Sequence, residues 1–222
     1  VLSSWPMAPK EAEKRKAEDK PDAEPASKEA KLEEVRGDVE KDAAADSRPT
    51  LQKPVIFDAA DSTLNVVSAM NDRMLMSLTE GGMQYLIAGA RASIGMKAGR
   101  YMYEVKIIEA LNPSESMSGQ GRGPQPRQLV RLGFSTAGTS LVLGDSEDGV
   151  YFDSEGFFCA SKQKKKTCQQ FTRDQVIGLL LNLDPKSPNA NTVSIFRDGE
   201  RLAEPQPLPE QLHGKPLFPH IS

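Results

Sequence analysis

Short runs of alternating apolar and polar residues recur along the chain from Pro54 onward. In residues 101–107 the apolar side chains are spaced by two positions, and residues 130–134 repeat this pattern. Such alternation is typical of strands with one buried face. Residues 176–183 are instead apolar on both faces and are too few for a typical helix. They predict a central strand that is buried on both sides.

Turn-forming residues separate these runs. The pair Asp198-Gly199 predicts a β-hairpin, because both residues tolerate the positive φ of a tight turn. Residues 112–127 are rich in Gly, Pro and Ser and predict a mobile surface loop. Further short runs of strand type lie at residues 64–67, 75–78, 85–88 and 149–152. Many short strands joined by such connections predict an all-β sandwich over residues 54–222.

The first 53 residues have a different composition. Between Met7 and Thr50 the larger aliphatic residues are Leu32, Val35 and Val39 alone, and there are no aromatic residues. Such a segment buries too little apolar surface to offset the entropy of ordering. Residues 1–53 are therefore predicted to be a disordered, charged tail.

The charge of the chain is concentrated in this tail. Residues 1–50 contain 10 Lys/Arg and 13 Asp/Glu, and the remaining residues contain 18 of each. The balanced remainder has no strong global field that attracts nucleic acid or an anionic membrane. No apolar run reaches the roughly 18 residues that span a bilayer. We therefore expect no membrane partner.

The two cysteines, Cys159 and Cys168, are expected to be reduced, since nothing in the sequence indicates secretion. This favours a nuclear or cytosolic protein. Cys168 follows a basic cluster that would lower its pKa, but a small buried residue is the preferred interpretation. The chain begins at Val1, and Met7 is the more natural start of translation.

Five motifs in order identify a family resemblance. They are residues 99–105, residues 131–135 (Arg-Leu-Gly-Phe-Ser), residues 174–178 with 182–184, residues 196–199 (Phe-Arg-Asp-Gly) and residues 217–221 (Leu-Phe-Pro-His-Ile). The chain resembles SPRY domains in these motifs, which implies a concanavalin A-like antiparallel β-sandwich that binds partners through edge loops. Within that family it is most like the heterogeneous nuclear ribonucleoprotein U-like group, through residues 166–168 and 214–220. By comparison with that group, a final strand is expected beyond Ser222.

The sequence offers little for catalysis or for metal binding. His213 and His220 are the only histidines, no Gly-x-Ser-x-Gly motif is present, and His220 lies in a motif typical of a packed core histidine. The two cysteines lack the paired spacing of a zinc site. Gly119-Gln120-Gly121-Arg122-Gly123 is followed by prolines that exclude a phosphate-binding helix. We expect no enzyme, no catalytic residue, no cofactor, no metal and no small-molecule substrate.

One dense basic cluster lies in the predicted domain, in a segment interpreted as a loop. Its members are Lys162, Lys164, Lys165 and Lys166. Such a cluster binds a phosphate backbone or an acidic peptide, or serves nuclear import; a simple solvated loop is an equal alternative.

The resemblance adds further candidate residues. In Ash2-like members of the SPRY family, the arginine that opens the Arg-hydrophobe-Gly-aromatic-Ser strand and the following basic loop contact an acidic peptide. By this resemblance Arg131 and the lysine cluster would form the site, with Tyr85 as a further candidate. Arg131 also alternates with Val130 and Leu132, so it should point away from the core. There it would pair with a carboxylate of a partner or form an internal salt bridge.

Three functional hypotheses follow. The first is a non-catalytic protein-interaction module of a nuclear ribonucleoprotein-like protein, which binds an acidic or phosphorylated peptide. The second is RNA binding through Lys162 to Lys166. The third is that the chain is the targeting part of a larger enzyme or chromatin complex. The expected location is the nucleus, with the cytoplasm as the alternative.

Overall fold

The computed structural model describes residues 53–110 and 129–222. The predicted tail and the predicted loop at 112–127 lie outside the described residues, apart from the last residue of the tail. The strands are β1 (Phe57–Ser62), β2 (Val66–Ala69), β3 (Met74–Ser77), β4 (Ala90–Ala92), β5 (Gly99–Lys106), β6 (Arg131–Ser135), β7 (Gly149–Asp153), β8 (Phe157–Ala160), β9 (Gln163–Lys166), β10 (Val176–Leu183), β11 (Thr192–Arg197), β12 (Glu200–Arg201), β13 (Gln206–Pro207) and β14 (Phe218–Ile221). Two short 3₁₀ turns occupy Met83–Tyr85 and Glu210–Leu212.

The strands form two main antiparallel sheets and a hairpin. The larger sheet has seven strands in the order β1-β4-β14-β6-β7-β8-β9. The smaller sheet has the order β12-β11-β10-β5, with β13 also paired to β11. Strands β2 and β3 pair only with each other among the described elements. This architecture confirms the predicted all-β antiparallel sandwich.

The core lies between the two main sheets. Alternate residues of β6 and β7 in the larger sheet and residues of β10 and β11 in the smaller sheet form one buried cluster. Its members on these strands are Leu132, Phe134, Val150, Phe152, Ile177, Leu179, Leu181, Leu183, Val193 and Ile195. Because strand side chains alternate between faces, the intervening residues of β6 and β7 point to the outer face of the larger sheet.

Strand β10 confirms the prediction for residues 176–183. It pairs with β5 along its whole length and with β11 on its other side. Seven of its eight residues are buried. An apolar run on both faces is stable here because the core covers one face and side chains such as Met102, which packs on Gly178, cover part of the other.

Two local predictions have opposite outcomes. Asp198 and Gly199 have φ values of 51° and 87° and connect β11 to β12, which confirms the predicted tight hairpin. The strand predicted at residues 85–88 is wrong. Tyr85 ends a 3₁₀ turn that follows Gly81 and Gly82, both with positive φ. Leu86 and Ile87, which follow this turn, are exposed to solvent and pair with no strand among the described elements.

Among residues 53–110 and 129–222, no helix has the length and apolar character needed to cross a bilayer.

Candidate binding face

Charged and aromatic side chains lie on the outer face of the larger sheet, which is the face turned away from the core. Arg131 on β6 lies opposite Asp153 on β7. Tyr151, two residues before Asp153, lies opposite Cys159 on β8, and Cys159 lies opposite Lys164 on β9. Since directly opposed residues of antiparallel strands share a face, these five side chains belong to one surface.

Arg131 is held in place by its neighbours. Its Nη1 donates a hydrogen bond to the Leu143 carbonyl at 2.7 Å, and its guanidinium carbon lies 5.5 Å from the centre of the Tyr151 ring. Its Nε is buried without a hydrogen-bond partner. No ion pair of Arg131 occurs within the described ranges. The guanidinium therefore fixes the backbone at Leu143 and stacks on Tyr151, and it does not form the internal salt bridge that the sequence left open.

The predicted lysine loop is wrong in its secondary structure. Residues Gln163–Lys166 form strand β9, joined to β8 by a two-residue turn in which Ser161 and Lys162 have φ values of 48° and 59°. All four residues of β9 are exposed. A lysine-rich strand is stable at the end of a sheet, because β8 supplies backbone partners on one side while the long side chains keep their ammonium groups in water.

Lys164 and Lys166 both lie over the outer face. The Nζ of Lys164 is 3.5 Å from Oδ2 of Asp153 and 6.0 Å from the centre of the Tyr151 ring. The Nζ of Lys166 is 5.0 Å from the centre of the Phe157 ring and donates to the backbone carbonyl of Glu155. The side chain of Lys164 remains 44% exposed. Both ammonium groups therefore combine an aromatic neighbour with access to solvent.

Asp153 offsets only part of the positive charge of this surface, because one of its carboxylate oxygens pairs with Lys164 at 3.5 Å and the other accepts from the backbone. It is fully buried, and its Oδ1 accepts hydrogen bonds from the amides of Glu155 at 3.1 Å and Phe157 at 3.0 Å. These bonds fix the turn between β7 and β8. Lys162, Lys164 and Lys166 are exposed, and their three positive charges exceed the negative charges of Asp153 and of the partly exposed Glu155.

The segment of residues 136–148 covers the other half of the outer face. Three side chains of the sheet bind four carbonyls of this segment. Arg91 Nη2 donates to Thr139 O at 2.9 Å and to Ser140 O at 3.3 Å. His220 Nε2 lies 3.0 Å from Leu141 O, and Arg131 binds Leu143 O. Arg131 thus belongs to a series of side chains that fasten this covering segment to the sheet.

Arg91 is the centre of a buried polar network. Its Nη1 donates to both carboxylate oxygens of Asp61, at 3.0 and 2.8 Å, and its Nε donates to Ser135 Oγ at 2.9 Å. The guanidinium is fully buried, and the bidentate carboxylate compensates its desolvation.

Ser135 and His220 have the hydrogen bond of a nucleophile and its base, but they are not placed for catalysis. Ser135 Oγ is 2.7 Å from His220 Nδ1, while His220 Nε2 faces the Leu141 carbonyl. These partners require the tautomer with the proton on Nε2, so Ser135 donates to Nδ1. Both residues are buried, and burial lowers the pKa of His220 to about 4. This agrees with the interpretation of His220 as a packed core histidine, since no substrate reaches a sealed hydroxyl.

The remaining predicted residues lie away from the face. Lys165 alternates with Lys164 and Lys166, so its side chain points to the opposite side of β9. Tyr85 lies in the turn before β4, three strands from β7 in the order of the larger sheet, and is 63% exposed. Cys168 is buried, and burial raises the pKa of its thiol, which favours a small buried residue over a reactive thiolate.

Sequence reasoning missed Tyr151, Asp153 and Arg91. The period-2 pattern of residues 149–153 places Tyr151 and Asp153 on one face, but only the pairing of β7 with β6 shows that Arg131 shares it. Arg91 stands in the short run Ala-Arg-Ala and has no local signal of burial. In the part of the chain that the structure describes, no cluster of three or more His, Cys, Asp or Glu residues is arranged to hold a metal ion.

No protein-family model matches the chain. Among curated proteins, the mouse heterogeneous nuclear ribonucleoprotein U-like protein 2 is 27% identical over 137 residues, which are 61% of this chain and 17% of that protein. Its human counterpart is 26% identical over the same length and the same shares of the two chains. The ATP-dependent RNA helicase DDX1 of Xenopus laevis is 28% identical over 130 residues, 59% of this chain and 15% of that protein. The chain thus spans less than a fifth of the length of these relatives.

Solved structures show the same architecture. The SPRY domain of human HERC1 matches with a TM-score of 0.52 and 19% identity, over 74% of this chain and 87% of that one. The PSpry domain of TRIM65 matches with a TM-score of 0.52 and 13% identity, over 76% of this chain and 84% of that one. The sandwich has the SPRY fold, and the resemblance inferred from the sequence motifs is confirmed.

Proposed function

We propose that the SPRY sandwich of residues 54–222 is a non-catalytic protein-interaction module that binds an acidic or phosphorylated segment of a partner protein. The supporting observation is the surface at the end of the larger sheet. There the ammonium groups of Lys164 and Lys166 lie beside Tyr151 and Phe157 and remain open to solvent. The nearest carboxylate, Asp153, is buried; it pairs with Lys164 at 3.5 Å and accepts from backbone amides, so it balances at most one of the lysine charges.

The residues of this surface have different roles in the proposal. Lys162, Lys164 and Lys166 carry the charges that a carboxylate or phosphate reaches. Arg131 raises the local positive potential and positions Tyr151, while its Nη1 remains bound to Leu143 O. No contact among the described residues connects Tyr85 with the lysines, so the proposal does not include it.

Charge reversal tests the proposal. Binding of fluorescein-labelled acidic peptides, with and without phosphoserine, is measured by anisotropy for the whole chain and for Lys164→Glu/Lys166→Glu. We expect the double variant to lose about tenfold or more in affinity, because opposed charges become like charges. The matched control is Lys106→Glu/Lys186→Glu, which makes the same charge change at exposed positions on the smaller sheet and in its loop. Equal losses in both variants, or none in either, would contradict the site.

RNA is the second candidate ligand for the same lysines. Two observations favour it: the basic hairpin, and the words ribonucleoprotein and RNA helicase in the names of the relatives. A titration with single-stranded RNA at several salt concentrations tests it, since each phosphate contact releases counterions and steepens the salt dependence. RNA affinity that is absent at about 0.15 M salt removes this candidate.

The names of the relatives also support a nuclear location and a place in a larger assembly. We propose that the module works in the nucleus and recruits its partner to a ribonucleoprotein-like or chromatin-associated complex. Fluorescence imaging of the tagged chain in intact cells tests the location, and exclusion from nuclei would contradict it.

A further inference from the structure

Strand β9 is the last strand of the larger sheet, and its outer edge is open. Among the described strands it pairs only with β8. All four of its residues are exposed, whereas β6, β7 and β8 beside it are largely buried. An open edge presents unpaired amide and carbonyl groups to any extended chain that reaches it.

The hydrogen-bond pattern of the hairpin shows which groups are open. A two-residue turn closes on Ala160 and Gln163, which in such a hairpin bond to each other. Antiparallel pairs then alternate between bonded and non-bonded, so the amides and carbonyls of Lys164 and Lys166 point away from β8. The residue after Lys166 follows the same alternation: the amide of Thr167 points toward the neighbouring chain and donates to the Gly156 carbonyl at 3.0 Å.

The lysine side chains do not cover this edge. A lysine that protects an edge from association extends into the path of an incoming strand. Here Lys164 lies back toward Tyr151 and Asp153, and Lys166 lies back toward Phe157. The backbone groups of both lysines stay open, while their charges line the face beside the edge.

We propose that β9 accepts an extended acidic segment of a partner protein as an additional strand of the larger sheet. The segment bonds to the backbone of Lys164 and Lys166, and residues opposite these two share their face. Carboxylates at positions i and i+2 of the segment therefore meet the two ammonium groups, and the residue between them passes Lys165 on the other side. The inference rests on the proposed function and specifies how the acidic segment binds.

Two peptides of equal charge separate strand addition from simple charge attraction. In the first, Glu alternates with Val over about nine residues, and the second has the same sequence with an N-methyl group on every amide. The second peptide has no amide hydrogen, so it cannot donate along the edge in either strand direction. We expect the unmethylated Glu-Val peptide to bind at least about tenfold more tightly to the whole chain. Equal binding of both peptides would overturn strand addition and leave acidic recognition in place, whereas binding of neither would overturn both proposals.

Backbone methylation of the Glu-Val peptide gives the sharper test. N-methyl groups on one alternate set of residues should weaken binding by about tenfold, while methyl groups on the other set should leave it within about twofold. Equal weakening of binding by methyl groups on either set of residues would overturn the proposal. As a variant control, Lys164→Glu/Lys166→Glu should abolish the preference for the unmethylated Glu-Val peptide, and Lys106→Glu/Lys186→Glu, with the same change of charge, should retain it.

Amide hydrogen exchange identifies the edge directly. In the free chain the amides of Lys164 and Lys166 should exchange rapidly, whereas that of Lys165 is bonded to β8. The Glu-Val peptide should slow exchange at Lys164 and Lys166 by about tenfold or more and leave Lys165 unchanged. Protection at Lys165 alone, or at none of the three, would overturn the proposal.

Discussion

Lowering the pH from about 7.5 to about 5 should destabilise the folded chain through His220. The imidazole is fully buried, with Nδ1 accepting from Ser135 and Nε2 donating to the Leu141 carbonyl. A second proton would remove the acceptor and place a positive charge beside the buried guanidinium of Arg91. Burial, and to a smaller extent this guanidinium, lowers the pKa of His220 from 6.5 to about 4, against the opposing effects of the Leu141 carbonyl and Asp61.

The size of the effect follows from the two pKa values. The unfolded chain takes up the proton near pH 6.5, whereas the folded chain resists it until about pH 4. The contribution of His220 to stability is therefore fully present above pH 6.5 and falls as the pH drops to about 4. Below that pH it does not change further. A tenfold change in proton affinity corresponds to about 1.4 kcal/mol, so the full loss is about 3 kcal/mol, and about 2 kcal/mol of it is reached at pH 5.

Urea denaturation followed by far-UV circular dichroism measures this loss. The matched variant is His220→Gln, which keeps a neutral donor and acceptor but does not titrate. Its absolute stability will be lower, so the comparison is the change between the two pH values. We expect the wild-type chain to lose about 2 kcal/mol more than the variant over this interval. The same loss in both chains would show that other groups cause it and would refute the reasoning.

Three further substitutions test the packing of the outer face by the same denaturation measurement. Ser135→Ala should destabilise the fold by about 2–5 kcal/mol, because Arg91 Nε and His220 Nδ1 both lose their partner in a buried site; a loss below about 1 kcal/mol would contradict the network. Gly133→Ala should cost about 3 kcal/mol or more, since its Cβ would lie 1.9 Å from the Val150 carbonyl oxygen on the paired strand; a well-folded variant of normal stability would contradict the close approach. Lys162→Gly should stabilise the fold by about 0.5–1 kcal/mol, because Lys162 has a φ of 59° that glycine adopts without strain; a destabilised variant would show that the lysine side chain matters more.

Much of the fold is encoded by local signals. Period-2 alternation located β5 and β6, uninterrupted hydrophobicity located β10, and Asp198-Gly199 located a hairpin. These predictions succeed because strand faces and tight turns depend on residues close together in sequence. Residues 85–88 show the limit, since an apolar run forms a strand only where a partner strand is available.

The candidate site was predicted only in part. The basic cluster and Arg131 were found because lysines and a known motif are visible in the sequence. Their secondary structure and contacts were not, since Gln163–Lys166 becomes a strand through pairing with β8. The binding role of Arg131 and the lysines stays a prediction, and the structure refines it by placing Arg131 in the anchoring of residues 136–148.

The sequence by itself determined the class of the fold, the positions of its main strands, and the poverty of catalytic and metal-binding motifs. Tertiary structure alone decided which distant residues share a surface. Arg91 and Ser135 are 44 positions apart, and Ser135 and His220 are 85 apart, yet they form one buried network. The physical reason is that alternation assigns each side chain to a face, whereas the order of strands in the sheet determines its neighbours on that face.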